Sequence, residues 1–279
     1  MKPEIQNKIL SLQFGILISF ADVKVRFSLI VRLLKRAMIK IFKKELAGYF
    51  SGYMAYVSAA AFSLICTLFL WFFDNDFNIF NSGNASLSSF FFIAPWILLF
   101  MIPALTMRTL AEEESSGTLQ WLFTQPIRIS GIVFGKFLPV LIVILFALLT
   151  TFGFVKTLEN FVSEGHQLDY GVFFSGYLGL FLLGCSFAAI GLFASSFAKN
   201  QVAAYILSVF LCFVLFYAFE SLASYNLLGS SDYFVQKLGM QVHYQQLLKG
   251  IVDTRDLVYF VVIIALFLGL THYNLENKK

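Results

Sequence analysis

Arg108–Lys136, RTLAEEESSGTLQWLFTQPIRISGIVFGK, is a polar interruption between two strongly apolar spans, and its reading decides the fold. Three consecutive carboxylates, Glu112, Glu113 and Glu114, precede a Ser115-Ser116-Gly117 break. An apolar set follows, Leu119, Trp121, Leu122 and Phe123, which Pro126 ends before Arg128 and Lys136 lead into the next apolar span. A purely solvated loop has no use for Trp121 and Phe123, whereas a short amphipathic helix that docks on another protein does. The glutamates also suit the acidic first turn of a helix, favoured by its dipole.

Outward from this stretch the chain is apolar. Its 279 residues are 59% hydrophobic and 13% charged, and soluble domains carry roughly twice that charged share. An integral membrane protein follows, and thirty-five phenylalanines suit lipid-facing helices. The net charge of +4 is therefore read through topology and not as a nucleic-acid signal. Cys66, Cys185 and Cys212 sit singly inside apolar spans, without metal-ligand spacing, and read as small buried apolar residues.

Hydropathy draws six spans: Tyr53–Phe73, Ser89–Thr106, Ile132–Val155, Val172–Ser195, Val202–Phe219 and Leu257–Tyr273. At about 1.5 Å per residue each can cross a hydrocarbon core of about 30 Å, the last of them marginally. Ahead of them, Ile39, Phe42, Leu46, Tyr49 and Phe50 recur at helical spacing, while Lys40, Lys43, Lys44 and Glu45 take the other face. That pattern predicts an interfacial helix over 38–51, its lysines among lipid head groups. Residues 1–37 form a basic extension whose apolar run Ile9–Phe20 is too short to span. Met38, where the coherent elements begin, is an alternative translation start.

Lysine and arginine set the orientation. With the N-terminus inside, inner segments hold sixteen of the twenty, and outer segments hold Lys156, Lys237, Lys249 and Arg255. Without residues 1–37 the bias is nine to four, so both termini and the Arg108–Gly131 stretch are expected in the cytoplasm. Pro95 and Pro103 predict a bent or locally unwound second span. The fourth span carries Gly176, Gly179, Gly184, Ser186, Ala188, Ala189 and Gly191, small residues that let helix backbones approach, so central packing is expected. Ser221–Asp256 mixes apolar and polar residues as short helices at or re-entering the outer interface would.

Gly135-Lys136 lacks the upstream glycine of a phosphate-binding loop, so no nucleotide site is expected in this chain. His166, His243 and His272 stand singly, without a second ligand at i+3 or i+4, and read as interfacial or solvated. A Glu-Glu-x-x-x-Arg protease motif fails because Gly117 and Thr118 stand where the arginine is needed. Glu220, at the end of the fifth span, is an ionisable group near the outer boundary and a candidate for the translocation path or an outer gate.

Taken together, these residues resemble a known family. The interfacial helix leading into span one resembles the elbow helix of type-2 ABC transporter (ABC-2) permeases, with Ile39, Phe42, Lys43, Lys44, Leu46 and Phe50 as its residues. Arg108-Thr-Leu-Ala-Glu-Glu-Glu114-Ser-Ser-Gly117-Thr118-Leu119, then Gln125-Pro126-Ile127 and Gly135-Lys136, looks like that family's loop between spans two and three. Gly250-Ile-Val-Asp253-Thr-Arg255-Asp256 before the last span is also typical of its bacterial members. The resemblance covers residues 38–279 and is closest to the gliding-motility-associated, GldF-like permease subunit.

The resemblance implies an all-α integral membrane fold. It has six transmembrane helices, an N-terminal elbow helix and a cytoplasmic coupling helix between spans two and three, in a bacterial inner membrane. It implies a half-transporter without catalysis of its own: a second permease subunit, identical or homologous, completes the path, and two copies of an ABC ATPase bind ATP and Mg. An accessory extracytoplasmic gliding-type subunit is a further expected partner, beside membrane lipid. Glu113, Glu114, Gly117, Thr118, Leu119, Trp121, Leu122 and Phe123 would contact the ATPase, the two glutamates by pairing with its arginines and Gly117 by letting the chain turn. Lipid-like, glycan and peptide cargo stay open. So does a membrane scaffold that recruits a cytoplasmic partner without transport; a membrane-embedded enzyme lacks a constellation of acid, base and nucleophile.

Overall fold

The computed structural model describes residues 38–79, 86–125, 127–159, 170–224, 236–250 and 252–279. The expected basic extension, Pro126, His166, Ile251 and the apolar residues Tyr233 to Val235 lie outside them. Among the described residues there is no strand, and six helices are long and apolar enough to cross a membrane. The expected all-α membrane class is the observed one.

The chain opens with α1 (residues 38–51). Gly52 and Tyr53, the latter left-handed at φ 59°, turn it into α2 (Met54–Thr67), which one π-turn carries on to Phe72. Then come α3 (Ser88–Thr106), the short α4 (Ala111–Ser115) and α5 (Thr118–Thr124), and α6 (Ile129–Thr150). The third span, expected to reach Val155, runs on to Glu159 with one break at Thr151, beyond which the chain continues as α7 (Phe152–Glu159). Its buried Phe154 and Leu158 hold α7 to the bundle. α8 (Tyr170–Phe197) and α9 follow; α9 runs from Gln201 through a π-turn at Val214–Ala218 to Ser224, so Glu220 lies within the helix and does not close it. α10 (Met240–Leu247) and α11 (Thr254–Asn277) complete the fold.

α8 is the centre. Most of its residues are buried, and it packs against α3, α6, α9, α10 and α11, whereas α2, α9 and α11 leave most of their surface to lipid or partners. The small residues explain this placement. A Cβ at Gly176 would meet the Phe91 ring at 2.5–2.9 Å, and one at Gly191 would overlap the Thr106 hydroxyl. At Gly179 it would lie 3.3 Å from Tyr244 and Leu247 of α10. The three cysteines are buried.

The prolines do not unwind α3, whose helix runs unbroken through Pro95 and Pro103. Pro95 has no N–H for the carbonyl of Phe91 four residues earlier. The buried hydroxyl of Tyr244 on α10 donates to that carbonyl instead, at 2.7 Å. Burial raises the Tyr244 phenol well above its ordinary pKa, so it stays a neutral donor. His243, expected to be interfacial or solvated, is instead docked: Nδ1 lies 2.6 Å from the Asp256 carboxylate, and the ring stacks on Tyr259 at 3.9 Å. Nε2 faces the Lys237 carbonyl at 3.0 Å, so both ring nitrogens have a polar partner.

Candidate functional site

α4 and α5 sit at one end of the bundle, beside α1, where α3, α8 and α11 end and α6 begins. Gly117 separates them. Its φ of +71° is a left-handed value that costs an L side chain about 1–2 kcal/mol, so glycine stands at the joint. The single amphipathic element expected over Glu113–Phe123 is therefore two short helices at a hinge.

α5 turns two faces to different surroundings. Leu119 is buried, Phe123 packs half-buried against the core, and Leu122 is half-buried. Thr118, Gln120 and Trp121 are exposed, Trp121 by 65%. An indole left in the open on a helix anchored by its opposite face is the strongest sign of a docking surface here.

The glutamates point the other way. Lys136, the sole charge inside the start of α6, is 1% exposed and meets three oxygens, donating hydrogen bonds to Glu45 and Thr109 and forming an ion pair with Glu113. These are Glu45 Oε1 of α1 at 2.9 Å, Glu113 Oε1 of α4 at 2.8 Å and the Thr109 carbonyl at 2.6 Å. Both carboxylates are under one-fifth exposed. Charge-assisted bonds of this kind are about twice as strong as neutral ones. Glu114 is paired with Lys278, the C-cap of α11, whose ammonium also donates to the Ser196 carbonyl at 2.8 Å. Both glutamates expected to meet ATPase arginines are thus held by lysines of the same chain.

α1 differs from expectation at one residue. Periodicity set Glu45 among the lysines, but it faces inward, because Lys136 waits there. Ile39 is exposed, while Phe42, Leu46 and Phe50 are half-buried and Lys43 and Lys44 point outward. Gly135 allows the close approach: a Cβ there would lie 3.0 Å from Ile41 of α1. The buried Tyr49 hydroxyl donates to the Leu105 carbonyl at 2.9 Å, and burial with Glu45 nearby raises its pKa. Between α1 and α4–α5 lies a cleft of about 530 Å³, with Lys44, Arg108, Glu112, Thr118 and Trp121 on its walls. Glu113 Oε2 has no hydrogen-bond partner among the described residues.

Ser195 of α8 joins the same end. Its Oγ accepts from the N–H groups of Leu110 and Ala111, each at 3.0 Å, and donates to the Met107 carbonyl at 3.2 Å. No sequence pattern announced Ser195, Lys278 or the role of Lys136; each acts on residues at least 27 positions away. Glu220 lies far from this group, near the other end, beside Gln245, with Oε2 unpartnered among the described residues. Among the described residues no three His, Cys, Asp or Glu side chains gather as metal ligands would.

A model of the ABC-2 family transporter protein matches residues 27–279 of the chain. No curated protein matches it.

Proposed function

The chain belongs to the ABC-2 family of transporter proteins, and from that premise we propose that it is the membrane-spanning half of an ATP-driven exporter moved through α5. Membership makes it a permease component that works with an ABC ATPase subunit. The observation that carries the rest is the exposed Trp121 on an anchored two-turn helix. In this reading Thr118, Trp121 and Leu122 insert into the ATPase and Gly117 is the joint. Leu119 and Phe123 fasten α5 to the bundle, and Glu113 and Glu114 brace the segment from within. Closure of two ATP- and Mg-bearing ATPases drives the spans only if their contact with α5 differs in energy between the two states.

The same reading places α4–α5, α1 and both termini in the cytoplasm of a bacterium, on the inner membrane, because that end carries the lysine and arginine excess. α1 is then the elbow helix. A second permease subunit, the same chain or a homologue, completes the path, and a GldF-like role with an extracytoplasmic gliding-type subunit is the narrower form. Glu220 is assigned to the path or outer gate.

Recovery of the N-terminally tagged chain from detergent-solubilised native membranes, followed by mass spectrometry and an ATPase assay, tests the proposal. An ATPase should co-purify, and Trp121→Ala should weaken its retention by about 30-fold, the effect of one interface hot spot of about 2 kcal/mol. Clean recovery with a second permease but no ATPase would refute it in favour of a scaffold.

A further inference from the structure

α4 is only five residues long and brings no capping side chain of its own. A hydroxyl has one hydrogen to donate and two lone pairs to accept with. Ser195 spends all three on the approach to α4: the N–H groups of Leu110 and Ala111 and the carbonyl of Met107. The missing cap is therefore supplied by α8. Ser195 is fully buried, so water cannot replace it.

A second connection runs to α11. Lys278 holds the Glu114 carboxylate and, at 2.8 Å, the Ser196 carbonyl. Asn274, one turn earlier, donates to the Ser196 carbonyl at 2.8 Å and lies 3.1 Å from its hydroxyl. The first turn of α4, the last turn of α8 and the last turn of α11 thus form one hydrogen-bonded block. α5 joins this block across Gly117, where a Cβ would meet nothing, through Thr118, whose hydroxyl donates to the Glu113 carbonyl of α4 at 3.3 Å.

We propose that α4 is the output joint of the coupling segment: Ser195 and the Glu114–Lys278 pair deliver its movement to α8 and α11, and are positioning residues for energy transfer. The inference rests on the coupling reading of α5 given above. It assigns Glu114 to α11 and not to the ATPase surface.

Charge exchange separates these assignments in the detergent-purified complex of the full chain with its ATPase. Three variants are compared, Glu114→Lys, Lys278→Glu and the double exchange, with Ser195→Ala as a fourth. Two readouts are taken: ATPase retention, and the change in hydrogen exchange at the inner ends of α8 and α11 on adding ATP and vanadate. Each single variant and Ser195→Ala should keep the ATPase, elute as a monodisperse complex and lose the nucleotide-induced exchange change by about tenfold, within the usual range of coupling between sites. The double exchange should restore most of it. Loss of the ATPase in Glu114→Lys, no effect of Lys278→Glu and no rescue by the exchange would overturn the proposal, since Glu114 would then face the ATPase. An unchanged nucleotide response in Ser195→Ala and both singles would overturn it as well. A wild-type chain that retains no ATPase fails at an earlier step, which identifies the coupling reading itself as wrong.

Discussion

Tyr244→Phe is the sharpest probe of how the bundle tolerates its prolines. The substitution removes one hydroxyl and almost no volume, but it strands the Phe91 carbonyl that Pro95 cannot serve. A buried acceptor left without a donor costs about 1–3 kcal/mol, and no water stands in reach inside an apolar span. At about 2–4 °C per kcal/mol for a chain of this size, about 2 kcal/mol lowers the unfolding midpoint by about 4–8 °C in a detergent thermal-shift assay. Pro95→Ala restores the backbone N–H, and the helix then closes its own bond to Phe91. In that background Tyr244→Phe should cost under about 0.5 kcal/mol, the level at which independent sites add. Equal costs of Tyr244→Phe in both backgrounds would refute the reasoning, because the hydroxyl would then be serving something other than the carbonyl freed by proline. Since burial keeps the Tyr244 phenol neutral, the difference should persist unchanged from pH 6 to 9.

Lys136→Met leaves Glu45 and Glu113 within one partly buried site with no cation between them. Breaking such a group costs about 3–5 kcal/mol, the lower end applying where the carboxylates keep some water; adding Glu45→Gln and Glu113→Gln should recover most of the lost midpoint, and a triple variant no more stable than the single would count against the clamp. Gly191→Ala, which forces a methyl onto Thr106, should destabilise by about 1–3 kcal/mol, whereas Gly269→Ala, with open space around it, should be neutral or gain up to about 1 kcal/mol; the same thermal shift reads both. Gly117→Ala meets no atom but holds a left-handed residue, so it should weaken ATPase retention through the backbone alone, and Gly117→Asn, which tolerates that region, should keep more of it. Because the native cysteines are buried, Ser116→Cys and Lys249→Cys can report sidedness in the native background: an impermeant maleimide added to cells should label the second and spare the first, and the reverse would invert the orientation.

The spans were legible because twenty-odd apolar residues in a row leave a helix little alternative in a bilayer, and α8 was legible as the centre because its glycines and alanines have no other use. Less was readable where two distant residues answer each other. Glu45 falls among Lys40, Lys43 and Lys44 by period, and only Lys136, 91 positions on, turns it inward. The family resemblance likewise gave Glu113–Phe123 as one coupling helix, although the Ser-Ser-Gly break marked the joint between α4 and α5. The π-turns at Leu68–Phe72 and Val214–Ala218 left no trace in sequence, being single-turn departures without a breaker residue. Pro95 was visible and its consequence was not, because the remedy comes from Tyr244, 153 positions away.

These distant pairs share a physical cause and a mechanical result. A polar group buried away from water needs a partner, and in these pairs another element supplies it. The pairs lie at the two ends: Lys136 and Ser195 beside α4, Tyr244 and His243 around α10. α8 touches both groups. Its C-terminal end caps the approach to α4 through Ser195, and Gly179 toward its N-terminal end lets Tyr244 and Leu247 of α10 settle against its backbone. It has twenty-eight residues, no proline and no π-turn, so it reaches about 42 Å at 1.5 Å per residue. A buried helix held at both ends by other elements therefore joins the two groups. His243 on α10 carries the connection on to Asp256 at the start of α11, so the α4 group, α8, α10 and α11 form one continuous packed path.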